Sequence, residues 1–149
     1  MLKRLFRRDA DPQWPTSFNQ SDVERVLAQL CRDVSEVQWA ALVTTTGLLV
    51  SLFPASTDLD EDRISAMCAA ALSLGERITK ELKHGILQSA VLAGSNGTNL
   101  VIALNQDYCL SVSLRAEASL DQAFEKLRSS SRALHDLLGI REGSWLEQQ

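Results

Sequence analysis

The sequence predicts an α+β domain: a five-stranded antiparallel sheet with two helices on one face and one long helix on the other. Three observations carry this reading. Two blocks of β-rich residues flank a long amphipathic segment, residues 58 to 84. Small turn motifs fall between the β runs at hairpin spacing. Capping residues open each helical segment. The order that results is helix, strand, strand, helix, strand, strand, strand, helix.

Residues 21 to 34, SDVERVLAQLCRDV, place Val23, Val26, Leu27, Leu30, Cys31 and Val34 on one helical face. Ser21 with Glu24 reads as a capping box in front of them. The runs VQWAALVTT and LLVSLF follow, close enough around Thr46 and Gly47 to need a tight hairpin, and Pro54 ends the second. In the long segment Asp58 and Glu61 read as a second capping box. Lys80, Lys83 and His84 oppose the macrodipole at its last turn, and Gly85 stops it. GILQSAVLAG, TNLVIALN and YCLSVSLR then read as strands, joined across GSNG and across Asn105 to Asp107 in a meander. Ser119 and Gln122 cap a final helix through Leu138, with Leu120, Ala123, Phe124, Leu127, Leu134 and Leu138 on one side and Gly139 beyond. The expected organisation is a basic, flexible leader over 1–20, a domain over 21–138 and a tail over 139–149.

Composition narrows the function. The chain of 149 residues has 45% hydrophobic and 23% charged residues, ordinary for one globular core. No apolar run reaches the roughly 18 residues a membrane span needs, and the leader MLKRLFRR continues into DADPQWP rather than an apolar signal core. A cytoplasmic protein is expected. Net charge is −4, and four cations lie in the first eight residues, so the rest carries −8. That balance repels phosphate backbones and argues against nucleic acid as a partner. Contact of the leader with an anionic membrane through Leu2, Leu5, Phe6 and its cations is the lesser alternative to a disordered leader. Trp145 in the tail is expected either to pack back on the domain or to anchor a partner.

The glycine-rich GSNGTN, Gly94 to Asn99, raises the question of a nucleotide. A phosphate loop needs a lysine and a following helix N-terminus, whereas Gly97 leads into Thr98 and a strand, so a hairpin is the reading. Cys31, Cys68 and Cys109 are scattered at apolar positions and read as buried free thiols. His84 and His135 have no partner at metal-ligand spacing and read as solvated helix residues. Asp60 and Asp62 sit where capping and the dipole explain them. No catalytic residue, cofactor or metal ligand emerges, and an enzyme is not expected.

The surfaces are more informative. On the long helix Ile64, Met67, Cys68, Ala71, Gly75, Ile78 and Leu82 lie within about 60° of one direction and read as the inner face. The opposite face carries Asp62, Ala66, Ala69, Ala70, Ser73, Arg77 and Lys80, a strip whose middle is small side chains. Alanine on a solvent face needs no function, being the best helix former; the competing reading is a docking surface. Five strands make a face about 20 to 25 Å wide and one helix covers only about 10 to 12 Å. The single-helix face is therefore expected to be half bare, to be completed by a second subunit or by pairing at an edge strand. Residues 86 to 93 have only Gln88 and Ser89 as polar members, a suitable pairing edge.

The segments AALVTTTGLLVS, AMCAAALSLGERI, SAVLAGSNGTNLVIAL and YCLSVSLR, in that order between Val23 and Leu138, resemble the roadblock family of dynein light chain and bacterial GTPase-regulator domains. Specificity lies in the order and spacing of all eight elements. The resemblance implies a homodimer, or a heterodimer with another roadblock chain, whose third strands pair across a two-fold axis. Here Ile86, Gln88, Ser89 and Val91 would occupy that strand, with the long helices side by side on one face. It also implies binding of a small Ras-like GTPase without a cofactor, as scaffold, anchor or activator of GTP hydrolysis. It supplies no catalytic residue to carry over, so the helix strip stands on geometry alone. The function expected is a non-enzymatic dimeric regulator or scaffold, with Arg63 or Arg77 as candidates to assist hydrolysis. The alternatives are an assembly module with no effect on a nucleotide cycle, and a small-molecule sensor.

Overall fold

The computed structural model describes residues 18–55 and 58–139. Among them the elements run α1 (Gln20–Asp33), β1 (Val37–Thr44), β2 (Leu49–Phe53), α2 (Glu61–Glu81), β3 (Ser89–Gly94), β4 (Gly97–Ala103), β5 (Tyr108–Arg115) and α3 (Leu120–Leu138). The predicted order and class hold. The expected leader 1–20 and tail 139–149, Trp145 included, fall largely outside the described residues. Phe18 packs against the core and Gln20 begins α1, so the fold takes in the last leader residues.

The sheet is antiparallel with strand order β2-β1-β5-β4-β3. It is not one continuous meander. Two hairpin blocks, β1–β2 and β3–β4–β5, meet where β1 pairs β5, which leaves β2 and β3 as edges. The crossover through α2 makes this possible, because it carries the chain from one edge to the other before β3 begins.

Alternation sorts the strand residues between two cores. Ala40, Leu42, Leu100, Ile102, Leu110, Val112 and Leu114 face α1 and α3, where they join Leu27, Leu30, Leu127 and Leu134. Ala41, Val43, Val101 and Cys109 face α2, where they meet Cys68 and Leu72. Two helices therefore cover one face and α2 alone the other, as the sequence implied.

Local chemistry moves some boundaries. Asn19, not Ser21, caps α1: its Oδ1 accepts from the Ser21 N–H at 3.0 Å. Asp60, not Asp58, caps α2, accepting from the Arg63 N–H at 3.2 Å. With Asp60 in the cap position the first helical turn holds Glu61 and Asp62, which favour the dipole, so Asp60 and Asp62 take the capping and dipole roles expected of them. Ser119 caps α3 as expected, and Gly139 closes it in the left-handed conformation.

The GSNG segment is a hairpin, with Gly94 paired to Gly97 and Ser95-Asn96 as the two-residue loop. Neither loop residue has positive φ, so this is not the mirror-image turn that Asn-Gly usually supplies. Gly97 is required for another reason: a Cβ there would lie 2.9 Å from the Leu114 carbonyl oxygen.

Candidate partner-binding face

The apolar arc that the sequence assigned to a single inner face of α2 is divided in the structure. Ser65, Cys68 and Leu72 are the buried residues, and Gly75 packs on Leu87, whose Cδ2 would be 3.0 Å from an added Cβ. Met67, Ile78 and Leu82, placed inside by the sequence reading, are 51%, 49% and 57% exposed, and Leu74 is 58% exposed. At 100° per residue Met67, Leu74 and Ile78 point about a third of a turn away from the seated residues. The reason is sheet size: one helix seats one flank, and the described residues offer nothing for the other.

The small-residue strip lies on the far side of that seat. Ala66, Ala70, Ser73, Arg77 and Lys80 are exposed; Asp62 and Ala69 are half-buried. Two of the alanines have an internal cause. The β1–β2 turn leans on them, so that a Cβ at Gly47 would sit 3.4 Å from Ala66 Cα and 3.8 Å from Ala69 Cβ. Gly47 has φ +94, so glycine suits both the backbone and the approach. Sequence reasoning missed this contact, although the TTTG turn before an AxxAA helix was its visible trace. Ala70, Ser73 and Arg77 form the part of the strip clear of the turn.

The turn meets the Ala66/Ala69 flank, and on the same face of the sheet α2 leaves part of the strands partly open. That part is a row across four strands: Leu92 pairs with Asn99, Asn99 with Ser113, and Ser113 with Trp39. Leu92 is exposed and the other three are partly so. Beneath the row, Cys68 Sγ donates to Ser111 Oγ at 3.3 Å and Ser111 Oγ donates to Asn99 Oδ1 at 3.2 Å. The exposed flank of α2 and this row lie on the same side of the sheet.

The two edges differ. At β2 the Gln20 side chain donates to the Val50 carbonyl at 3.1 Å and the Cys31 thiol reaches the Phe53 carbonyl at 3.9 Å, so α1 guards that edge. At β3, the terminal strand, Val91 and Leu92 are exposed without charge or proline, the composition of an edge that pairs. Of the residues expected on the pairing strand, Ser89 and Val91 lie on β3. Ile86, 92% exposed, and Gln88 come before it, and the Gln88 carbonyl still accepts from the Ala103 N–H at 3.0 Å.

The titratable groups suit a structural role. Burial pushes the Cys109 thiol up to about 12, with Cys68 nearby adding to it; burial also raises Cys68, against a hydrogen bond to Ser111, and Cys31. Such thiols are poor nucleophiles at neutral pH. The three are free, as expected. His84 is exposed as expected, but His135 is not: it is 2% exposed, one turn after the buried Ser131. The buried arc of α3 is broad enough to take in that flank. Among the described residues no group of His, Cys, Asp and Glu could hold a metal, and no helix is long and apolar enough to cross a membrane.

A family model for the Roadblock/LC7 domain matches residues 24–113, more than half of the chain. The chain belongs to the Roadblock/LC7 domain family. Among solved structures, this roadblock domain is similar to MglB of Myxococcus xanthus, at TM-score 0.74 and 15% identity over 80% of this chain and 96% of that one. It is also similar to the gliding protein MglB of Thermus thermophilus, at TM-score 0.73 and 16% identity over 89% and 100% of the two chains. A Roadblock/LC7 domain from Streptomyces avermitilis gives 0.71 and 19% over 77% and 96%. At these identities the likeness is one of fold. No curated protein matches in sequence.

Proposed function

We propose that this roadblock domain is a non-enzymatic regulator or scaffold that pairs with a second roadblock chain through β3 and the exposed flank of α2, and that the pair binds a small Ras-like GTPase. The observation that carries the pairing is the coincidence of an unguarded β3 edge with an apolar flank of α2 on the same side of the molecule. A monomer gains nothing from holding Met67, Leu74, Ile78, Leu82 and Leu92 in water. Membership in the roadblock family, and the resemblance of its ordered segments to GTPase-regulator domains, support the second half of the reading.

The GTPase would dock on the part of α2 clear of the Gly47 turn, where Ala70 and Ser73 let a backbone approach and Arg77 and Lys80 offer charge. Stimulation of hydrolysis would come from ordering of the partner's switch loops, with exposed Arg63 or Arg77 as candidates for a direct contribution. The test is phosphate release by a candidate small GTPase with and without this protein, beside size-exclusion chromatography of the mixture. A complex with faster release supports the regulator. A complex with unchanged release selects an assembly or anchoring role, and no complex refutes GTPase binding. Ala70→Arg should abolish the complex while leaving the chain folded. Joint Arg63→Ala and Arg77→Ala substitution that leaves stimulated release intact would remove any direct arginine contribution.

A further inference from the structure

The hydrogen bonds along the partly open row of the sheet leave donors, not acceptors, facing outward. Cys68 Sγ donates to Ser111 Oγ, and Ser111 Oγ donates to Asn99 Oδ1, so the Asn99 oxygen is taken from inside the fold. Ser113, paired with Asn99 across β4 and β5, donates its hydroxyl to Gln38 Oε1 at 3.2 Å. Each amide therefore has its acceptor engaged and two N–H donors left over. Among the described residues neither amide nitrogen meets an acceptor.

Strand alternation adds a cation and an aromatic ring on the same face. Cys109 and Ser111 of β5 face α2, and so do Ser113 and Arg115 at the following alternate positions. Arg115 is exposed, and its Nη1 donates to the Ser35 carbonyl at 2.9 Å, which leaves its other N–H groups to solvent. Trp39, opposite Ser113 on β1, packs one side against the Cys68 core and is partly open on the other. These residues belong to β4, β5 and β1, so the shelf they form stands apart from the β3 edge.

We propose that this shelf holds an acidic side chain of an extended partner peptide, with the carboxylate between the Asn99 and Gln38 amides and an apolar side chain two residues away on the Trp39 ring. The amides flank Ser113 from the strands on either side, and the Gln38 side chain leans in to meet its hydroxyl. A carboxylate accepting at about 2.9 Å on each oxygen bridges donors up to about 8 Å apart. Alternate side chains of an extended peptide lie about 7 Å apart, between the one strand spacing from Ser113 to Trp39 and the two from Asn99 to Trp39. The chemistry selects an acid. A carboxylate accepts at both oxygens and donates nothing, as a site made of donors requires, and Arg115 supplies the countercharge. A neutral amide in its place would set its own N–H groups against those of Asn99 or Gln38.

The experiment titrates the full chain against fluorescein-labelled peptides, read by fluorescence polarisation. One peptide carries leucine and glutamate at alternate positions in a glycine–serine background; two others carry glutamine or lysine in place of the glutamate. The glutamate peptide is expected to bind with a dissociation constant of about 100 µM and the glutamine peptide about tenfold more weakly or worse. Asn99→Asp keeps an oxygen for Ser111 but turns the outward donors into a charged acceptor. It should abolish binding of the glutamate peptide and confer binding of the lysine peptide, an exchange that loss of folding would not produce. In the wild-type chain the side-chain amide resonances of Asn99 and Gln38 should move as the glutamate peptide is added, while that of Gln122, at the start of α3 on the opposite face, stays in place. Equal affinity for the glutamate and glutamine peptides overturns the proposal, as does an Asn99→Asp chain that binds the glutamate peptide as wild type does. Absence of binding at about 1 mM peptide, with both amide resonances unmoved, overturns it as well.

Discussion

Gly97→Ala should destabilise the domain more than any other glycine substitution in the GSNG hairpin, because the obstacle is backbone. The added Cβ would sit 2.9 Å from the Leu114 carbonyl oxygen, and Leu114 is held opposite Thr98 in the β4–β5 ladder. Relief needs the strands to part by a few tenths of an ångström at the pair that ends the ladder. Overpacking of this kind costs about 1–3 kcal/mol. Lower chain entropy in the unfolded state returns about 0.4–1 kcal/mol, leaving a net loss of about 1–2 kcal/mol. For a domain of this size that lowers Tm by about 3–8 °C.

Two companions separate the causes. Gly94→Ala would bring its Cβ 3.3 Å from the Gly97 oxygen inside the same hairpin, a milder contact that should cost only a few tenths of a kcal/mol. Gly85→Ala meets nothing within 4 Å but has φ +87, so it should show the left-handed strain alone, about 1–2 kcal/mol. The assay is guanidinium unfolding of each variant at one protein concentration, since the proposed self-association would make apparent stability depend on it. If Gly97→Ala proves no less stable than Gly94→Ala, the close approach of β4 to β5 is not what fixes glycine there. Because this hairpin sets the register of β3, the same variant should also weaken self-association.

Asp60→Ala should cost about 1 kcal/mol as the loss of an N-cap, while Asp58→Ala stays within about 0.5 kcal/mol; equal losses in urea titrations would reinstate the cap predicted at Asp58. Stability should fall above pH 9: the Cys109 thiol is held neutral up to about 12 when folded but ionises from 9.0 when exposed, so between those values the unfolded state binds fewer protons and gains. The slope is about 1.4 kcal/mol per pH unit for that group, and Tyr108, which burial also pushes up to about 12 with Asp107 adding to it, steepens it above its ordinary 10.0. Chemical denaturation between pH 8 and 11 checks this, and a Cys109→Ala variant with an unchanged profile would assign the loss elsewhere.

How far the sequence could be read depended on whether a signal was local. Strand alternation and the capping and turn residues are set by near neighbours, and they yielded the element order, the two-plus-one distribution of helices and the GSNG hairpin. Caps missed by two residues, at Asn19 and Asp60, because several acceptors stood close together and only the entering backbone chooses among them. His135 was misplaced for a different reason: a helix with a broad apolar arc buries whatever polar residue lies at its margin, and the arc's width depends on the neighbouring helix. The β2-β1-β5-β4-β3 order was hidden because nothing in β1 or β5 says which of their neighbours they pair with.

The division of α2 is the most instructive failure, since it bears on function. Periodicity reports that Ile64 to Leu82 will be sheltered from water, without saying by what. Cys68 and Leu72 are sheltered by the chain's own sheet, and Met67, Leu74, Ile78 and Leu82 are not. An apolar arc wider than the surface available to receive it is therefore itself a quantity that sequence can supply. Here the predicted arc ran seven residues along one helix over a face that a single helix only half covers. The excess residues did not scatter; they fell together on one exposed flank of the helix. A helix serving only as a lid on its own sheet has no physical reason to carry them there, whereas a helix shared between two copies does.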